Sequence, residues 1–68
     1  MRERAIVERV RQGDRSVGDI VKAIYRDTDP RLHGAAGLSV LAHLEDLVAQ
    51  GSVATEGELS LDGRFRPA

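Results

Sequence analysis

Apolar positions along this chain fall into three helical stripes followed by an alternating tail. In "RERAIVERVRQG", Ile6, Val7 and Val10 make one stripe, and Gly13 supplies a C-terminal stop. Arg4 and Glu8 stand four apart on its polar side and read as a solvated surface pair. Ser16 opens the next segment. Three residues on, Asp19 is placed to reach back to the cap N–H as a weak capping box. Ile20, Val21, Ile24 and Tyr25 then recur at helical spacing as far as Asp27.

The third stripe is the longest. Pro30 suits a first helical turn, with Thr28 or Asp29 as its cap, and Gly51 closes it. At 100° per residue, Ala36, Val40, Leu41, Leu44, Leu47 and Val48 share one face. Gly34 and Gly37 weaken the first half, so an irregular first turn is expected. The tail "SVATEGELSLDGRFRPA" has strand-forming residues and two turn signals, Glu56-Gly57 and Asp62-Gly63. Val53, Leu59 or Leu61, and Phe65 are its inward candidates. Val17 sits where a strand of one or two residues would pair with this hairpin. The pattern predicts helices over about 2–13, 17–27 and 30–50 and a β-hairpin over about 52–66. That order defines an α+β fold, a small winged helix, with the third helix in the recognition-helix position and the hairpin as wing.

With 68 residues, the chain holds a single domain spanning 1–68. Cysteine is absent, so disulfides and thiolate metal sites are excluded. His33 and His43 alone do not build a closed metal site, and stability must come from aliphatic packing. Hydrophobic residues make up 41% and charged residues 31%, as in ordinary globular domains. No apolar run approaches the ~18 residues of a membrane span, and the N-terminus lacks a signal-peptide apolar block. A cytoplasmic setting follows as the default.

Net charge is −1, yet the charges are segregated. Eight of the ten basic side chains lie in residues 1–31, and none lies between Leu32 and Gly63. The outward side of the third helix carries Arg31, Ala35, Ser39, Ala42, Asp46 and Ala49, and the wing tip adds Glu56, Glu58 and Asp62. A duplex, with one negative charge per ~1.7 Å, is repelled by such a surface. Small side chains there instead let another backbone approach. Arg31, Ala35, Ser39, Ala42, His43 and Asp46 are therefore the candidate face for a neighbouring domain. Arg9, Arg11, Arg15, Lys22 and Arg26 form a candidate basic patch for RNA, set against their pairing with Glu8, Asp14, Asp19, Asp27 and Asp29. Aromatic content of 3% leaves few platforms for stacking bases. His43 falls at the border of the core and outward faces, where one ring nitrogen would meet a backbone carbonyl or the ring would face an interdomain cleft. His33 reads as a surface residue. Tyr25 reads as a ring at the core edge with its hydroxyl outside. "HGAAG" lacks the preceding strand and the lysine of a phosphate-binding loop.

Three segments carry a family resemblance: Arg2-Glu3, "VGDIVKAIYRDTDPRLHGAA", and "SVLAHLEDLVAQGSV" with its Ser-x-x-x-His-Leu-x-x-Leu-x-x-x-Gly spacing. Together they span about residues 2–55, with Phe65 where an aromatic is usual. The chain resembles the C-terminal winged-helix domain of metallo-β-lactamase-fold hydrolases, the subfamily of the lactamase-beta-like endoribonuclease and glyoxalase-like enzymes. Asp46 departs from the lysine often found there, which further disfavours nucleic acid at this helix. The resemblance implies an excised C-terminal domain, beginning where a hydrolase domain would end. It implies an N-terminal metallo-β-lactamase-fold domain as partner, holding zinc and hydrolysing an ester, thioester or phosphodiester. The His-x-His-x-Asp-His cluster of that fold is missing here, so this chain is not an enzyme and carries no cofactor. Its expected role is to pack beside the metal domain and shape its substrate cleft. The alternative is a free-standing winged helix that binds nucleic acid or regulates.

Overall fold

The computed structural model describes residues 2–68, with the backbone alone for Arg2. Met1, read in the sequence as the residue before a domain start, lies outside them. Helix α1 spans Arg2–Arg11, α2 Val17–Ile24 and α3 His33–Ala49. A 3-10 turn, Pro30–Leu32, leads into α3, and strands β1 (Val53–Glu56) and β2 (Arg64–Pro67) complete the chain.

Local chemistry explains each boundary. Helix α1 stops at Gly13, whose φ of 118° only glycine adopts readily. There the Gly13 N–H donates to the Val10 carbonyl and the Asp14 N–H to Arg9, which satisfies the last carbonyls. Helix α3 ends the same way: Gly51 has φ 80°, with Gly51 donating to Val48 and Ser52 to Leu47. Ser16 caps α2 by accepting from the Asp19 N–H at 3.1 Å. The reciprocal bond differs from the expected box, because the Asp19 carboxylate accepts from the Arg15 N–H, one residue before the cap, at 3.4 Å. Asp29, not Thr28, caps the start of the third segment and accepts from the Arg31 N–H. Pro30 follows in the first turn, which takes the tighter 3-10 form before α3 begins. Helix α2 ends at Ile24, three residues earlier than its pattern suggested, because Tyr25 leaves helical geometry at φ −107° and ψ 25°.

The core collects one side of every element. Ile6 and Val10 of α1 meet Val17, Ile20 and Val21 of α2, and Ala36, Val40, Leu44 and Leu47 of α3. Val53 and Phe65 close it from the hairpin, and Phe65 heads the fully buried side chains. Leu41 and Val48 pack at its margin, as do Val7, Ile24 and Tyr25. Leu59 is the inward residue of the wing loop, whereas Leu61 is 46% exposed.

β1 and β2 pair antiparallel, with Thr55 opposite Phe65 and Glu56 opposite Arg64. A third, minimal strand joins β2 through the Ser16–Arg64 bridge and the Phe65 N–H to Arg15 carbonyl bond at 2.8 Å. The pairing falls at Arg15 and Ser16, one position before the expected Val17. Val17 is instead the first residue of α2, and its side chain is buried. At the tip, Gly57 turns with φ 89°. Gly63 is required by space, since a Cβ there would stand 2.8 Å from the Glu58 carbonyl oxygen.

Candidate functional site

Helix α3 holds the recognition position of the fold, so its outward side comes first. Ala35, Ala42 and Asp46 are exposed and Ser39 is half-buried. Leu38, which the helical pattern did not single out, is 60% exposed on the same side. Arg31, the cation at the entry of this face, is committed locally. Its guanidinium donates to Asp29 from Nη2 at 2.7 Å and from Nε at 3.1 and 3.2 Å. Those bonds, with the Arg31 backbone N–H, hold the Asp29 carboxyl below its ordinary range and raise the guanidinium. The surface that α3 presents is therefore small, apolar and acidic.

Both histidines brace elements. His43 sends Nδ1 to the Glu3 carboxylate at 3.1 Å, tying α3 to α1. Its partner is thus a carboxylate from a distant helix rather than the backbone carbonyl expected, a contact that spacing along one helix does not disclose. His33 is half-buried rather than on the surface, because its Nε2 lies 3.2 Å from the carbonyl oxygens of both Tyr25 and Thr28. Two acceptors require that this nitrogen carry the proton. The ring thereby pins the loop between α2 and α3. No group of three or more His, Asp or Glu placed to hold a metal occurs among the described residues.

The candidate basic patch divides in two. Arg9 forks onto Asp14, with Nε to Oδ2 at 2.8 Å and Nη2 to Oδ1 at 3.2 Å, and this pairing raises the Arg9 pKa. Arg15 Nη1 donates to the carbonyls of Val10 and Asp14, each at 3.1 Å, and so serves the end of α1. Arg11, Lys22 and Arg26 remain exposed. Glu8, expected to face Arg4, accepts from the Gln12 side chain at 3.2 Å. On the wing, Arg64 and Arg66 flank the inward Phe65 and are exposed, with Arg64 across from Glu56.

A further feature escaped the sequence pattern. An open groove of about 370 Å3 runs between the first turns of α2 and α3 and the wing loop. Val17, Val21 and Leu61 form its apolar walls, and Gly18, Gly34 and Gly37 keep those walls low. Lys22 and His33 also line it. Gly37 is buried against α2, where a Cβ would lie 3.6 Å from Val17 Cγ1. Two glycines within one helical stripe, Gly34 and Gly37, are the signal that could have found it.

Three helices, a minimal strand and a two-stranded wing define the small winged-helix class. The family model described as beta-lactamase associated winged helix domain matches residues 16–64, and the chain belongs to that family. The match takes in α2, α3 and most of the wing, while α1 lies outside it. Comparisons with curated proteins and with solved structures returned no match. No helix among the described residues is long and apolar enough to cross a membrane.

Proposed function

We propose that this chain is a non-catalytic accessory domain that packs beside the metal-binding domain of a metallo-β-lactamase-fold hydrolase and shapes one wall of its substrate cleft. Membership of the beta-lactamase associated family carries the reading. The outward side of α3 supports it: Ala35, Leu38 and Ala42 offer a neutral surface in the place where a duplex reader would need cations. In this reading zinc and the hydrolytic chemistry belong to the partner domain. Here His33 and His43 have ring nitrogens engaged with Tyr25, Thr28 and Glu3, and they serve to hold the docking faces in shape.

The competing reading, a nucleic-acid binder, draws on the exposed Arg11, Lys22 and Arg26. The two separate on salt. Titration of the chain with a separately produced metallo-β-lactamase-fold domain of the family should give saturable binding that persists at high salt. RNA or DNA binding through phosphates would instead weaken steeply, with a slope of about −0.7 to −0.9 per neutralised phosphate on logarithmic axes. A steep slope with RNA and no binding to the hydrolase domain would reverse the assignment.

A further inference from the structure

The groove between α2, α3 and the wing loop has features that the domain's own packing does not explain. Gly18, Gly34 and Gly37 all line it, and none has the positive φ that would call for glycine. A Cβ at Gly34 would meet nothing within 4 Å. At Gly37 it would lie 3.6 Å from Val17 Cγ1 and 3.9 Å from Leu61 Cδ2, ordinary van der Waals contact. Alanine in place of Gly37 would gain helix propensity and apolar contact together. The isolated fold would be more stable with the groove floor filled, yet the floor is open.

Apolar surface stays open at the same place: Leu61 forms one wall at 46% exposure, facing Val17 and Val21 across the groove. An apolar concavity left open in this way is the kind of surface that another molecule covers. The charge of the lining is one-sided: Lys22 stands at the rim, and among the described residues no carboxylate lines the groove. Of the two carboxylates next in sequence to lining residues, Asp19 is engaged with the Arg15 N–H and Asp62 is exposed on the wing loop, outside the lining.

We infer that this groove is a docking site for an extended polypeptide segment of the partner domain, with one apolar side chain seated between Val17, Gly37 and Leu61 and a carboxylate paired with Lys22. This rests on the accessory-domain reading and names the surface through which it acts. The low glycine walls let the segment's backbone approach, and Lys22 supplies the charge that orients it.

The test titrates the isotope-labelled chain with a metallo-β-lactamase-fold domain of the family, comparing wild type with Gly37→Ala, Lys22→Glu and Gln12→Ala. Binding to wild type should shift the amide signals of Gly34, Gly37 and Leu61. Gly37→Ala should raise the Tm by about 4–8 °C while weakening binding about tenfold or more, an opposition that a purely structural glycine would not produce. Lys22→Glu should weaken binding by a similar factor with the Tm unchanged, whereas Gln12→Ala, exposed at the end of α1 and outside both the groove and the α3 face, should bind as wild type does. If wild type binds and the two groove variants bind equally well, the groove assignment fails and the accessory reading stands. A drop in Tm for Gly37→Ala, or an equal loss of binding in Gln12→Ala, also overturns it. If wild type does not bind at all, both fall together.

Discussion

The two halves of α3 serve different purposes within one helix. From Val40 onward, Val40, Leu44 and Leu47 are buried, and the helix closes on Gly51 with both terminal bonds made. From His33 to Ser39, the helix starts from a 3-10 turn, carries Gly34 and Gly37, and leaves Leu38 exposed. The first arrangement maximises what the domain gains from its own packing. The second forgoes some of that gain, since glycine within a helix costs about 0.5–1 kcal/mol relative to alanine. A domain of this size has little stability to forgo. That contrast separates the half that makes the fold from the half that leaves apolar surface exposed.

Truncation should break the comparison most sharply. Leu44→Ala removes a fully buried side chain and should cost about 2–5 kcal/mol, a large part of the total stability of a small domain. Leu38→Ala, six residues earlier, should change stability by no more than about 0.5 kcal/mol. Thermal unfolding followed by far-ultraviolet circular dichroism checks both, and comparable losses would erase the distinction.

Glycine substitution probes the same division from the backbone. Gly51→Ala forces a side chain into the left-handed region and should destabilise by about 1–2 kcal/mol. Gly37→Ala, with the opposite expected sign, makes the pair diagnostic when the two are unfolded in urea side by side.

A smaller effect is expected at the brace between α1 and α3. The His43–Glu3 pair is about one-third exposed, so His43→Gln should cost at most about 1 kcal/mol. Hydrogen exchange should quicken mainly in α1, and uniform quickening across α2 and α3 would assign His43 a wider structural role.

The smallest signal lies at the start of the third segment. Asp29 has a depressed pKa through its bonds to Arg31, so its contribution is complete at neutral pH, above the ordinary carboxylate range. It is lost as pH falls through the depressed folded value. The Arg31 amide resonance should therefore titrate below the ordinary carboxylate range, and a midpoint at the ordinary value would show that the fork does not persist in solution.

Much of the frame was legible beforehand because it rests on short-range chemistry. Gly13, Ser16, Pro30 and Gly51 act on backbone groups within a few residues, so their roles follow from spacing. The burial of Ile6, Val10, Val40, Leu44 and Phe65 follows from period and from the need to cover apolar surface. Contacts between elements were less legible. Nothing along the chain indicates that His43 reaches Glu3 or that His33 binds two carbonyls of the preceding loop. Arg9 and Arg15 read as parts of a cationic patch, but the end of α1 takes both. Leu59 and Leu61 alternate equivalently in sequence, and only the path of the wing loop turns one inward and leaves the other over Gly37.

By itself, then, the sequence determined the helices and wing, most of the core, and the uneven placement of charge. These properties depend on residue type and local period. Tertiary structure decided which cations are spent internally, what each histidine holds, and that Gly37, Val17 and Leu61 converge on one open groove. Such facts depend on how α2, α3 and the wing approach one another, a long-range geometry that no local pattern encodes.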